Sequence, residues 1–455
     1  MWGPPLPESA IHYLIVVPVR VFPVSKAELA LESAFGEHLK LLRRALRPEY
    51  SSMTIAAPSM PREDYEASRD VLGRIDSEAD GIEFVPLHGG GLSGLGFALR
   101  SPAILARVLR EVSRADLVHA GPSHDIKRPI EIASIAAGWM LGKKTLAVAD
   151  IDLRNDARMN LATGAWTRGA YLRCRYLYDP LRRIQLHAVG RFASLVLFKG
   201  QAMVDAFGHG RDAVKSFLDA AYSIDHVLEE DALRTKTAAL QTPGPLELCY
   251  FGRLVPYKGV DRIIEALARA REHESASARL RVIGSGPIEG ALRELASRRR
   301  VSDAVRFLGP RPYGPSLFRE LQNAELMMAA PLSGDTPRNA LDALALGLPL
   351  VAFDVAYYRD LARHSGAVEL VPWDDVDALA ERIAYLAEQR HELAPRVAKA
   401  VAFARRNTQE LWLERRTRWT KALHGSNDSD ARGDASDDTR EPRAADWHTG
   451  ESVDA

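Results

Sequence analysis

Arg253 and Lys258 share one short loop in the segment Tyr250-Phe-Gly-Arg-Leu-Val-Pro-Tyr-Lys-Gly-Val260, and two cations at that spacing can grip a diphosphate. The run Leu246 to Phe251 reads as a buried strand and Gly252 ends it. Val260, Ile263, Ile264 and Leu267 then recur at helical spacing after Gly259. In an open α/β sheet such a loop lies at the carboxyl ends of the strands, where ligands bind. Arginine offers a phosphate a fork of N–H donors and lysine a point charge. An Arg and a Lys on a loop are, alone, ordinary solvated surface; the order strand, Gly-Arg, Pro, Lys-Gly, helix is the specific part.

A second candidate is the stretch Gly334-Asp-Thr-Pro-Arg-Asn-Ala-Leu-Asp342, which runs on to Gly347 and Pro349. Asp335 or Thr336 can cap a helix, Pro337 suits its first turn, and Gly347 and Pro349 end it. The amides near Thr336, Arg338 and Asn339 would then form an anion site at the helix N-terminus. Asp342 stands among alanines and leucines, and burying a carboxylate without a partner is costly, so it is expected to bind something. In Val282-Ile-Gly-Ser-Gly-Pro287, Gly284 and Gly286 permit close backbone approach, and Leu308 ends the strand that starts at Val305. Each of these alone marks only a turn.

In order and spacing these segments resemble the nucleotide-binding half of retaining glycosyltransferases of family 4, which have the GT-B fold of two facing Rossmann-like domains. The resemblance implies a nucleoside diphosphate sugar donor, a glycan or lipid-linked acceptor, retention of anomeric configuration, and neither cofactor nor metal. It gives Arg253 and Lys258 the charge of the leaving diphosphate, with Gly252, Gly284, Gly286 and Leu308 lining the donor site. Asp342 stands where the family has a Glu that binds the ribose hydroxyls, one methylene shorter. The family's first Glu, eight positions earlier, is Gly334 here, so its sugar contact passes to the neighbouring Asp335. The family also places a His near the donor sugar after the fourth strand. Val118-His-Ala-Gly-Pro-Ser-His124 offers His124 in the loop, with His119 as a strand-end or core residue, while the simplest alignment puts Gly121 there. The Gly-Gly that often follows the first strand is replaced by Pro18-Val-Arg-Val-Phe-Pro23, and Gly36-Glu37-His38 is a partial substitute.

The elements that must position these residues fit a chain of 455 residues with 46% hydrophobic content, too long for one core and apolar enough for two. Lys+Arg and Asp+Glu both number 60, so no bulk charge favours nucleic acid. Two cysteines, Cys174 and Cys249, suggest neither a disulfide framework nor a zinc site and fit a reducing cytoplasm. Candidate strands are Tyr13–Val17, Met53–Ala57, Glu83–Leu87, Asp116–His119, Lys144–Ala149 and Leu195–Phe198, then Leu280–Ile283, Val305–Leu308, Leu326–Ala329, Leu350–Phe353 and Val368–Val371. Helices are expected at Glu28–Arg47, Pro102–Ser113, Pro129–Leu141, Gln201–Phe207, Val376–Leu393 and Arg396–Leu423. Alternating strand and helix implies two doubly wound parallel sheets. The expected division is an acceptor-binding domain over 11–235, a linker near 228–245, a donor-binding domain over 246–400, a helix over 401–424 that crosses back to the first domain, and a disordered tail over 425–455. The segment Met1 to Ala10 has no basic leader, and no apolar run approaches the roughly 20 residues of a membrane span.

Other features stay open. Asp150 and Asp152 end the fifth strand, where they can orient an acceptor hydroxyl or simply form a turn. His88-Gly-Gly-Gly lacks the Lys and the spacing of a phosphate loop. From Trp166 to Arg191, arginines alternate with tyrosines and leucines, which fits either peripheral contact with the inner face of a membrane or a helix with a solvated basic face. Neither sheet carries the dinucleotide fingerprint of a nicotinamide oxidoreductase. The lost first Glu leaves room for a catalytically silent GT-B subunit that binds nucleotide or glycan, against which the intact Arg253 and Lys258 argue.

Overall fold

The computed structural model describes residues 11–123, 125–150, 156–272, 277–334 and 336–425. His124, Asp152, Asp335, the first ten residues and the tail from 426 lie outside the described residues. The first half contains β1 (Ile11–Val16), β2 (Phe22–Pro23), β3 (Glu28–Glu32), β4 (Tyr50–Ser59), β5 (Leu72–Asp76), β6 (Ile82–Gly89), β7 (Leu117–Ala120), β8 (Lys144–Ala149), β9 (Leu195–Lys199) and β10 (Val214–Phe217). The second contains β11 (Leu246–Phe251), β12 (Ala278–Ile283), β13 (Val305–Gly309), β14 (Leu326–Ala329), β15 (Leu350–Phe353) and β16 (Val368–Val371).

These strands form two parallel sheets, one in the order β10-β9-β8-β7-β1-β4-β6 and one in the order β13-β12-β11-β14-β15-β16. Both are covered by helices on both faces, which is why their central strands are largely apolar, while edge strands such as β10 carry polar residues. Leu14 and Val16 point into one core of the first half, and Tyr13 and Ile15 into the other. In the second half Leu248 and Tyr250 enter one core, and Cys249 and Phe251 the opposite one. Tyr250 pairs with Val282, so β11 and β12 finish side by side and bring the loops at Gly252 and Gly284 together.

Four expectations are corrected. Glu28–Glu32 opens no helix; it is β3, paired antiparallel with β2 and β5 in a small third sheet, and the helix starts at Ser33 with Glu32 as its cap. Pairing here overrides the helix propensity of Glu, Leu and Ala. The helix expected from Pro102 runs from Gly94 to Arg114 with Pro102 inside it. The linker region holds a helix, Glu230–Ala239, anchored to the second half where Lys236 Nζ donates to the Ala324 carbonyl at 2.7 Å. The single helix expected over Arg396–Leu423 is two, Leu393–Arg405 and Gln409–Lys421, because Thr408 caps a new start.

The last helix packs on the first half: Tyr50 donates its hydroxyl to the Thr420 carbonyl at 3.0 Å, and Trp412, Leu413 and Trp419 lie against the core that holds Tyr13 and Ile15. The chain thus passes between the halves twice, and the passages touch. The Gln409 amide donates to the Tyr222 carbonyl at 2.9 Å, and the Tyr222 hydroxyl to the Ala404 carbonyl at 3.1 Å.

Candidate functional site

The loop after β11 is locked by backbone contacts that only glycine permits. Gly252 has φ +143° and Gly259 φ +64°, both in the region that disfavours side chains. A Cβ on Gly259 would stand 1.8 Å from the Ala330 carbonyl oxygen, one on Gly284 1.9 Å from that of Gly252, and one on Gly286 2.1 Å from that of Leu254. The Gly252 amide donates to the Ile283 carbonyl at 3.0 Å, the Leu254 amide to Ser285 at 2.9 Å, and the Gly284 amide to Gly309 at 3.0 Å. The close approach that Gly284 and Gly286 allow is therefore used by the Arg253 loop itself. Their role is to hold that loop against its neighbour, with half-buried Leu308 beside Gly309.

Within the loop Tyr257 gathers the two cations. Arg253 Nη2 donates to the Tyr257 hydroxyl at 2.8 Å, and Lys258 Nζ lies 5.3 Å from the centre of the Tyr257 ring. The sequence-predicted pair is thus brought to one side chain, with Arg253 exposed and Lys258 half-buried. Pro256–Lys258 forms a 3₁₀ turn, and the Tyr257 carbonyl accepts from the Leu332 amide at 2.8 Å, which ties this turn to the second candidate segment.

In that segment the helix is Asn339–Ala345, with Arg338 at its N-cap and no side-chain cap. Thr336 does not cap it: its hydroxyl donates instead to the Asp150 carbonyl at 3.0 Å, so Asp150 reaches this segment through its backbone. Asn339 donates from Nδ2 to the Phe251 carbonyl and holds the helix to the end of β11, and among the described residues its buried Oδ1 has no partner. Asp342 is only 5% exposed and accepts a hydrogen bond from the Tyr313 hydroxyl at 3.0 Å. Burial pushes its carboxyl up to about 7; the Tyr313 hydrogen bond and the Arg338 charge pull the other way.

The wall facing this segment comes from the first half, and the sequence reading missed most of it. Lys199, at the end of β9 and only 6% exposed, donates to the Thr336 carbonyl at 3.0 Å and lies 3.8 Å from Asp219. Arg338 donates from Nε to Asp219 at 2.6 Å. Burial works against the Asp219 charge, but Lys199 and Arg338 hold its carboxyl below the usual range. Asp156 accepts from the Gly334 amide. Arg416 of the last helix lies 5.1 Å from the Phe217 ring. His119, in β7, shares a 2.9 Å hydrogen bond between its Nδ1 and the Tyr13 hydroxyl. Burial, then the Arg416 charge, pushes His119 down to about 3 and His38 down to about 4. The one sequence signal for this wall was Lys199, a charge closing the apolar run Leu-Val-Leu-Phe.

Residues 245–389 match the family model described as Glycosyl transferases group 1. The chain is 37% identical over 136 residues to an exopolysaccharide phosphotransferase of Streptomyces coelicolor, covering 30% of this chain and 14% of that protein. It is 27% identical over 164 residues to the amylovoran biosynthesis glycosyltransferase AmsK of Erwinia amylovora, covering 35% of this chain and 40% of that protein. The chain spans less than half the length of these curated relatives. Among solved structures, Anabaena HepE in complex with UDP superposes with a TM-score of 0.60 at 17% identity, over 91% of this chain and 99% of that one. WaaG, a glycosyltransferase involved in lipopolysaccharide biosynthesis, superposes with a TM-score of 0.54 at 15% identity, over 91% and 100%. Two facing parallel sheets and these superpositions give the chain the GT-B fold, and its second half carries a glycosyl transferases group 1 domain.

Proposed function

We propose that this protein transfers a sugar from a nucleoside diphosphate donor to a glycan or lipid-linked acceptor with retention of configuration, as a family 4 enzyme does. The observation that carries the reading is the meeting of Arg253 and Lys258 at Tyr257, on a loop held by glycine-only contacts. A relative named as a glycosyltransferase and a fold neighbour holding UDP support the donor class.

As the bond between sugar and diphosphate breaks, negative charge grows on the leaving phosphate oxygens. A guanidinium and an ammonium already fixed beside them lower that barrier without reorganising. In this reading Asp342, which now accepts from the Tyr313 hydroxyl, would accept from the ribose hydroxyls instead. Lys199, Asp219 and Arg338 join the two halves beside this cradle, so the acceptor hydroxyl attacks in a crevice from which closure excludes water.

The test is a panel of nucleoside diphosphate sugars incubated with the protein, read by mass spectrometry for transfer and slow donor hydrolysis. One donor should turn over, Lys258→Ala should slow it about 100- to 1,000-fold, and NMR of the product should show the donor's anomeric configuration. Tight nucleotide binding with no turnover of any donor, acceptors present, refutes the reading.

A further inference from the structure

The helical run Arg168–Phe192 shows the solvent an apolar stripe. It is α-helical except for one π turn at Cys174–Tyr178. Leu172, Tyr176, Leu177 and Ile184 are 49%, 75%, 52% and 63% exposed, while the run buries only Cys174, Val189 and Gly190. Positions 172, 176, 177 and 184 recur near the helical period, and the π turn adds the residue that keeps Tyr176 and Leu177 together on the outer side. A soluble helix normally turns such a stripe to the core. At its end Phe192, 52% exposed, meets Trp139, 55% exposed, of the neighbouring helix at 5.4 Å between ring centres.

The charge around this stripe is one-sided. Between Ala157 and Phe192 the sequence has Arg158, Arg168, Arg173, Arg175, Arg182, Arg183 and Arg191 against Asp179 alone. Arg168, Arg173, Arg175, Arg183 and Arg191 are exposed. Exposed aromatic and aliphatic side chains flanked by cations complement a surface that is apolar below and anionic above. Among the described residues no helix is long and apolar enough to cross a membrane, so the complement is a surface to lie on.

We infer that the Arg168–Phe192 run, with Trp139, is a docking face for an anionic phospholipid bilayer, with Leu172, Tyr176, Leu177 and Ile184 entering the headgroup region and the arginines binding lipid phosphates. Twelve residues before this run, Asp156 accepts from the Gly334 amide, so the face lies close in sequence to a tie between the halves. The inference stands apart from the chemistry proposed above, because its test needs no turnover.

The full chain is mixed at low salt with sucrose-loaded vesicles of phosphatidylcholine alone or with about one-third phosphatidylglycerol, and bound protein is measured by sedimentation. Binding should require phosphatidylglycerol and weaken with salt. R173E/R175E/R183E should lower the partition coefficient about a hundredfold, since each basic residue contributes roughly a factor of five or more. Y176S/L177S/I184S should lower it while leaving the circular dichroism spectrum and thermal midpoint unchanged, because these side chains are exposed. The inference is overturned if the wild type ignores anionic vesicles, if neutral vesicles bind as well, or if neither variant changes binding. It is equally overturned if light scattering shows a dimer that the serine variant dissociates without loss of vesicle binding, which would make a second copy the occupant.

Discussion

Asp342 is a carboxyl group that the fold keeps partly protonated, and replacing it by asparagine should make the protein more stable. The side chain is 5% exposed, and burial raises its pKa from 3.8 to about 7 against the pull of Tyr313 and Arg338. A carboxyl whose folded pKa lies above its unfolded value binds protons more tightly when folded. Stability is therefore unaffected below about pH 4, falls as pH rises from about 4 to about 7, and stays low above that. Three pKa units at about 1.4 kcal/mol each give an upper bound near 4 kcal/mol, and relaxation of the unfolded and folded states reduces this to roughly 2–4 kcal/mol. Asp342→Asn keeps an oxygen for the Tyr313 hydroxyl and removes the titration. Its thermal midpoint should match the wild type at about pH 4 and exceed it by roughly 5–15 °C at about pH 7.5. Differential scanning fluorimetry across a pH series measures this, and calorimetric titration with UDP should show weaker binding by the more stable variant. A variant less stable than wild type at pH 7.5, or a difference that does not change with pH, would refute the reasoning.

Other consequences are as direct. His38 and His119 have folded pKa values below the unfolded one, so they destabilise as pH falls from about 6.5 toward about 4, together by roughly 2–3 kcal/mol per pH unit. H38Q/H119Q should flatten that acid limb, with a slope opposite in sign to that of Asp342, and NMR should show neither wild-type ring titrating between about pH 5 and about pH 8. Gly284→Ala places a Cβ 1.9 Å from the Gly252 carbonyl at φ +140°, and urea denaturation should show a loss of roughly 2–5 kcal/mol. Lys199→Met removes the bond to the Thr336 carbonyl and the Asp219 pair, which should cost roughly 1–3 kcal/mol in the same assay and widen the particle in small-angle scattering.

Strands covered on both faces are written as apolar runs, which is why β1, β8, β11, β12, β14 and β15 were legible within a few residues. β10 was not, because Val214-Lys-Ser-Phe217 is short and half polar at an edge. β3 was not, because Glu-Leu-Ala-Leu-Glu favours a helix until β5 is there to pair with it. Arg253, Lys258 and Asp342 stood out in the sequence because each is a charge set against a local pattern: a loop between strand and helix, or a carboxylate in a row of alanines and leucines. Of the opposing wall only Lys199, a charge closing an apolar run, carried such a local sign. Lys199, Asp219, His38 and Arg416 come from separate stretches, and they meet only when the first half folds and the last helix packs on it. The start of the helix at Asn339 was misplaced for a similar reason. Thr336 looks like a cap within its own segment, but its hydroxyl finds the Asp150 carbonyl across the crevice.

The hydrogen bonds of Tyr222 with Gln409 and Ala404 join both covalent passages between the halves at one place. Two strands of chain pinned together act as a single pivot and resist twisting as one strand would not. Were the halves to part, displacement would be least at this place and would grow with distance from it. The polar ties across the halves include Lys199 to Thr336, Thr336 to Asp150, Arg338 to Asp219, Gly334 to Asp156 and Ala202 to Asp360, while Met159 and Leu218 add apolar contacts with the core of the second half.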